Sequence, residues 1–385
     1  MIKKIVVTTL FGGLLAGTAM ASNGPQYAGY GVVAMGMGGA SIANPTDAIA
    51  AANNPAGMGA VGSRVDGNLM ATWGQLRSNV HGTESSDSLL VFLPGFGANF
   101  QYRPDVTFGV SVSGYGAGVD YDRVIPAFGT TKVKSALAQL IIAPTATYEV
   151  APGHYLGASI RLGYESLLLH GLENFGATDD EDHAFGVGWS VGYLGTLADG
   201  LRLGLTYASP VRFQKMKSHA DIIPDGGQIN MPQQAGIGLA YDIGAWTLAF
   251  DYVWINWSGE KAFGNSLVEG GAPGASNGPG FGWRDQNVFR TGINYKVTKR
   301  LQLRGGVSLA NHQVPDREAT LISIAPCNQP KSASLGVSYQ VSDDLEVTGA
   351  YMQDFSHITH GDAASEDTSA GGVLHMLSMG VGYKF

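Results

Sequence analysis

V-L-H-M-L-S-M-G-V-G-Y-K-F, residues 373–385, is the stretch on which the fold class turns. Leu377, Met379, Val381, Tyr383 and Phe385 alternate strictly with Ser378, Gly380, Gly382 and Lys384. A period of two marks a strand whose two faces meet different surroundings. Large apolar residues opposed to small and polar ones fit a lipid face backed by a lumen. A strand of this kind that ends on an aromatic residue has the form of an outer-membrane β-barrel closing strand, with Phe385 as the signal for barrel-assembly machinery.

The same alternation recurs upstream. Leu335, Val337, Tyr339 and Val341 interleave with Ser334, Gly336, Ser338 and Gln340, and Leu301, Leu303, Val307 and Leu309 with Gln302, Arg304, Gly306 and Ser308. Phe289, Thr291, Ile293, Tyr295 and Val297 do so with Arg290, Gly292, Asn294 and Lys296, and Trp246, Leu248, Phe250, Tyr252 and Trp254 with Thr247, Ala249, Asp251, Val253 and Ile255. Counting such segments from Ser63 onward gives roughly fourteen, an even number as bacterial single-chain barrels require. The expected fold is therefore all-β, a transmembrane antiparallel barrel over residues 63–385.

Connections support the count because short and long ones alternate. Short turns are expected at Arg103-Pro104-Asp105, Ala151-Pro152-Gly153, Ala198-Asp199-Gly200, Asp242-Ile243-Gly244, Thr298-Lys299-Arg300 and Ser342-Asp343-Asp344, facing the periplasm. Long outward loops are expected at residues 178–183, 214–227, 259–282 and 311–330. Tyr241, Trp246, Tyr295, Tyr339 and Tyr383 lie near the short turns, with Trp254, Trp257 and Phe355 at the other end, as two interfacial girdles would require.

Composition agrees. Charged residues make up 14% of the chain and glycine occurs 56 times, unlike a soluble domain of this length. Lys3 and Lys4, an apolar run and Ala19-Met20-Ala21 form a secretory signal, so residues 1–21 are expected to be removed and the mature chain to begin at Ser22. No later segment has the eighteen or so uninterrupted apolar residues of a membrane-spanning helix. The formal charge of -8 argues against a nucleic-acid partner. Cys327 is the single cysteine, so closure and ladder hydrogen bonds must stabilise the chain.

Residues 22–62 lack sustained alternation but carry Val32, Val33, Met35, Met37, Ile42, Ile49 and Met58, a set that must pack against something. The barrel lumen is the natural place. Asn54 can bond its own downstream backbone and Pro55 offers no donor, which favours a fixed turn. Gly114 and Gly116 bracket Tyr115 near the outer end of a strand, where glycine weakens pairing and permits a bend.

These residues give the chain its resemblance to the FadL family of outer-membrane long-chain fatty acid transporters, which also includes TodX-type aromatic hydrocarbon transporters. Residues 36–58, G-M-G-G-A-S-I-A-N-P-T-D-A-I-A-A-A-N-N-P-A-G-M, resemble the family's N-terminal hatch with its Asn54-Pro55-Ala56 signature. Residues 107–116, T-F-G-V-S-V-S-G-Y-G, resemble its third strand, whose kink opens a gap in the barrel wall. W-S-V-G-Y from Trp189, D-Y-V-W-I-N-W-S ending at Ser258, and V-P-D-R at residues 314–317 extend the match. The resemblance implies a hatch-plugged barrel that passes long-chain fatty acids or similar hydrophobic compounds by passive diffusion. It also implies that the hatch is at residues 22–62 and that exit is sideways near Gly114, Tyr115 and Gly116. Arg212, Lys215 and Lys217 lie near one loop and are candidate carboxylate contacts. The alternatives are an aromatic or alkane substrate and an adhesive barrel.

Other constellations carry less. Gly36-x-Gly38-Gly39 has no preceding strand of a βαβ unit. His357 and His360 with Asp354 and Asp362 have metal-like spacing, but in an expected solvated loop. Asp179, Asp180, Glu181 and Asp182 could bridge cations to lipopolysaccharide or simply hydrate a loop. No nucleophile elbow appears, so neither a metal, a cofactor nor an enzymatic reaction is expected. The expected partners are a hydrophobic small molecule and outer-membrane lipid with its lipopolysaccharide.

Overall fold

The computed structural model describes residues 23–177 and 179–385. The expected signal peptide, residues 1–21, lies outside the described residues. Fourteen long strands form one closed antiparallel wall. They are β1 Arg64–Val80, β2 Thr83–Arg103, β3 Val106–Val124, β4 Lys132–Ala151, β5 His154–His170, β6 Glu181–Ala198 and β7 Leu201–Ala208. The second half holds β8 Gln234–Ile243, β9 Trp246–Ile255, β10 Gln286–Lys296, β11 Leu301–Ala310, β12 Lys331–Gln340, β13 Leu345–His360 and β14 Thr368–Lys384. A further two-residue strand, Arg212–Phe213, pairs with β6. Each long strand pairs with its sequence neighbours, and β14 closes on β1 from Arg64↔Lys384 to Val80↔Thr368. Closure leaves no edge, the condition a sheet must meet in lipid.

The alternation sorts as its periodicity requires. Leu69, Phe92, Phe250, Leu335 and Met379 are exposed on the outer face, while Val91, Asp251, Ser334 and Ser378 point inward and are buried. Trp246 stacks on Tyr295 with ring centroids 4.1 Å apart at the short-turn end. All six expected short turns separate consecutive strands, the fourth displaced so that β8 runs through Ile243. Trp257 departs from expectation. The chain leaves β9 after Ile255, so Trp257 turns inward, is 1% exposed, and packs edge-on against Trp283 at 5.1 Å. Likewise the acidic residue Glu181 begins β6 rather than lying in a loop.

Height differs around the ring. β1–β6 are 17–21 residues long and β13 and β14 are 16 and 17, whereas β7–β12 have 8–11. A spanning strand needs only about 9–11 residues. The tall side therefore rises beyond the outer leaflet, and the long loops between the shorter strands fold over the mouth.

An arginine in place of Met379, which is 67% exposed on the lipid face, is expected to destabilise the barrel by about 2–4 kcal/mol. Reversible denaturant unfolding in lipid vesicles measures this. A Ser378→Ala change on the inner face of the same strand should shift the midpoint far less.

Candidate functional site

The ladder between β2 and β3 is incomplete. It runs from Arg103↔Val106 up to Phe96↔Val112 and stops, although β2 stays paired with β1 to Thr83 and β3 with β4 to Asp120 and beyond. In the same register the next partners would be Gly95 with Ser113, Pro94 with Gly114 and Leu93 with Tyr115. Pro94 has no N–H to donate, and proline within a sheet is confined to edges and irregularities. Gly114 opposite it adds no side chain, and the Leu93 side chain fills that space, 3.2 Å from where a Cβ on Gly114 would stand. The wall thus lacks backbone pairing between β2 and β3 above Phe96, and Gly114, Tyr115 and Gly116 lie on the unpaired stretch of β3. Pro94, the residue that ends the pairing, is the signal that the sequence reading missed.

Three spaces lie inside and beside this opening. The outermost, about 1000 Å³ of atom-free space with its mouth included, is lined by Leu137, Leu169, Ile223, Phe263, Trp283 and Ile324 among others. Among the described residues no charged side chain lines it. Apart from the Trp283 indole, its one polar side chain is Ser135, whose hydroxyl already donates to the Ile324 carbonyl. Below it a recess of about 740 Å³ has a different character, with Gln26, Tyr30, Tyr115, Arg161 and Arg290 in its walls. A third, of about 420 Å³, sits at the wall opening against Leu93, Pro94 and Gly114, and shares Tyr27, Tyr30 and Ser113 with the recess.

The N-terminal segment partitions these spaces. Pro25 lines the apolar cavity and accepts a hydrogen bond at 3.0 Å from the Gly116 N–H of β3. Gly24 packs against Trp257 and Trp283. Tyr27 and Tyr30 separate the recess from the opening, and Tyr30 packs on Tyr115 with centroids 5.1 Å apart. All the apolar residues expected to pack, from Val32 to Met58, are buried.

The stretch beyond Gly31 is pinned to the wall by polar side chains. Asp251 on β9 accepts from the Ser41 and Ile42 N–H groups at 2.7 and 3.0 Å, and Asp66 on β1 accepts from Ala48 at 2.7 Å. Ser334 on β12 accepts from Gly38 at 2.9 Å, and Arg64 donates to the Thr46 carbonyl at 3.0 Å. Asn54 is 1% exposed. Its amide donates to the carbonyls of Ile42 and Tyr193 at 2.9 and 3.0 Å, and its Oδ1 accepts from Ala56 at 3.1 Å. Pro55 opens the short helical turn Pro55–Ala60 and accepts from Thr147 at 3.0 Å, and Ala56 is fully buried. Gly192 and Gly157 permit this approach, since a Cβ on either would collide with Asn54 or with the Pro55 backbone. Asn53, which sequence reading passed over, bonds both backbone groups of Tyr30 at 3.0 and 2.8 Å and so ties Tyr30 to the pinned part.

Arg212, Lys215 and Lys217 are exposed, and none lines any of these spaces. Arg212 falls in the short strand paired to β6, where the inward side chain belongs to Phe213. His357 and His360 lie in β13 rather than a loop, Asp354 is buried, and among the described residues no group of His, Cys, Asp and Glu is placed to hold a metal ion.

A family model described as "Outer membrane protein transport protein (OMPP1/FadL/TodX)" matches residues 13–384. The fold is similar to the toluene transporter TodX of P. putida, at 18% identity over 93% of this chain and 99% of that one, with a TM-score of 0.69. A FadL homologue of Pseudomonas aeruginosa gives 16% identity over 96% and 100%, with a TM-score of 0.70. The toluene transporter TbuX of Ralstonia pickettii gives 18% over 93% and 98%, at 0.61. No curated protein sequence matches the chain.

Cys327 offers a probe of the loop, residues 311–330, that covers the apolar cavity. Its thiol is buried, with Sγ 3.2 Å from the Ala325 carbonyl, and burial pushes it up to about 12. The reactive thiolate is therefore scarce as well as enclosed. Maleimide labelling of the folded barrel at about pH 7–9 is expected to be negligible, with complete labelling on unfolding. Rapid labelling of the folded form would show that this loop does not close over the cavity.

Proposed function

The chain belongs to the outer membrane protein transport protein family (OMPP1/FadL/TodX), and on that premise we propose that it admits long-chain fatty acids or similar hydrophobic compounds through the outer membrane by passive diffusion. Residues 22–62 act as its hatch. The observation that carries this reading is the uncharged apolar cavity, set in one barrel with the recess and the opening beside Pro94 and Gly114 and parted from them by Pro25, Tyr27 and Tyr30 of the N-terminal segment. Keeping an acyl chain out of water is worth about 0.8 kcal/mol per methylene. A compound that reaches the mouth gains that energy in the cavity while still outside the bilayer. Leaving sideways returns it to hydrocarbon, so the whole route is downhill along its concentration gradient and consumes no nucleotide.

The moving part is residues 23–30, hinged where Asn53 bonds the Tyr30 backbone, because the backbone between Gly38 and Ala56 is held by Asp251, Asp66, Ser334 and Asn54. In this reading Asn54, Pro55 and Ala56 anchor the hatch and do not themselves move. Displacement of Tyr27 and Tyr30 joins recess and opening. For an anionic ligand the cations that meet its carboxylate are Arg161 and Arg290 in the recess, in place of Arg212, Lys215 and Lys217. A second reading, a neutral aromatic or alkane substrate, is favoured by the lack of any charged side chain around the cavity and by a fold shared with toluene transporters.

Uptake of labelled oleate and of toluene by bacteria lacking their own transporter separates these readings. Arg161→Gln is expected to lower oleate uptake by about tenfold, the equivalent of one charge-assisted hydrogen bond, and to leave toluene uptake unchanged. Toluene uptake without oleate uptake by the unmodified chain would give first place to the neutral hydrocarbon. Uptake of neither by a correctly inserted barrel would overturn both. At matched surface levels Asn54→Ala should reduce uptake of whichever compound is carried, since the partition loses its fixed base.

A further inference from the structure

Above the wall opening, β2 and β3 meet again through a side chain. The Asp120 N–H of β3 donates to the Asp87 carboxylate of β2 at 2.9 Å. In the register of the lower ladder Asp87 would stand opposite Tyr121, and no backbone pair between the strands forms at that height. The carboxylate takes the place of the missing backbone acceptor and holds the two backbones a side chain's length apart. Each strand is otherwise secured on its far side. Asp87 is paired with Leu76 of β1. Asp120 is paired with Lys134 of β4, and its carboxylate meets Lys134 Nζ at 2.9 Å.

We propose that Asp87 is the clasp that sets the width of the opening between β2 and β3, and with it the girth of the compounds that leave by this route. The inference rests on the reading of the opening as an exit. Asp87 is a positioning residue, since it borders the gap from above and lines none of the spaces described. The opening is bounded below by Phe96↔Val112 and above by this tether. A tether of one side chain fixes a distance without closing the wall. A rigid slim molecule passes inside that distance, whereas a broad polycyclic one must stretch it.

The test compares Asp87→Ala, which removes the acceptor, with Asp87→Asn, whose amide oxygen still accepts, and Asp87→Glu, which lengthens the tether by one methylene. Uptake of toluene and of pyrene is measured at matched surface levels, together with the distance between spin labels at Ser86 and Arg123. Asp87→Ala should raise the pyrene-to-toluene ratio by about fivefold, as loss of one hydrogen bond would allow, and broaden the label distances. Asp87→Asn should match the unmodified chain and Asp87→Glu should fall between. An unchanged ratio and unchanged distances in both Asp87→Ala and Asp87→Glu would overturn the clasp. Widened distances with an unchanged ratio would also overturn its role in selection. If the unmodified chain carries neither hydrocarbon, the neutral-substrate reading fails, while the label distances still decide whether Asp87 holds the strands.

Discussion

A backbone N–H or C=O without a partner costs several kcal/mol in hydrocarbon, so a membrane-spanning sheet must pair every strand on both sides. The β14–β1 and β1–β2 junctions each run unbroken for 17 residue pairs, whereas the β2–β3 ladder stops at Phe96↔Val112. The exception between β2 and β3 is consequently an organising feature. Pro94 brings no donor to it and Gly114 no side chain. Behind it the N-terminal segment supplies backbone of its own, with Pro25 accepting from Gly116. Part of the wall's hydrogen bonding is thus supplied by the N-terminal segment.

That arrangement explains the uneven anchoring of the interior. A plug held everywhere would seal the barrel, and one held nowhere would leave buried strand groups exposed. Here carboxylates, amides and hydroxyls from opposite sides of the ring bind the backbone between Gly38 and Ala56, while Tyr27 and Tyr30 sit between two spaces and are tied through Asn53. The apolar cavity above is assembled differently, from the inner faces of β3–β5 and the loops that cross the mouth. Its lining is uncharged, so it offers a hydrophobic compound an environment close to the membrane interior.

Barrel class, strand number and most turns could be read from the sequence because each depends on local periodicity and turn chemistry. Met379 against Ser378 is such a reading, as is Ala151-Pro152-Gly153. The packed N-terminal segment was legible from its apolar residues without alternation. Trp257 was misassigned to a girdle because the strand ends two residues before it, which periodicity alone cannot register. Pro94 was passed over because its effect depends on what stands opposite it, and register across a junction is not written in either strand. The cavity was invisible for the same reason, since Pro25, Leu169, Phe263 and Ile324 meet only after closure. Arg212, Lys215 and Lys217 were chosen for proximity to a loop, whereas the internal cations Arg161 and Arg290 sit among ordinary strand residues and give no local sign of facing a cavity.

The central claim is that transported compounds leave through the wall between β2 and β3, and bridging that opening tests it most directly. Cysteines at Leu93 and Gly114 can be linked by a short bifunctional thiol reagent, against a low background because Cys327 is buried. The account predicts that linking abolishes uptake, that reductive cleavage of the link restores it, and that the same reagent leaves the single-cysteine variants active. Undiminished uptake by the fully linked barrel would contradict it, and would mean that compounds continue through the lumen to the periplasm.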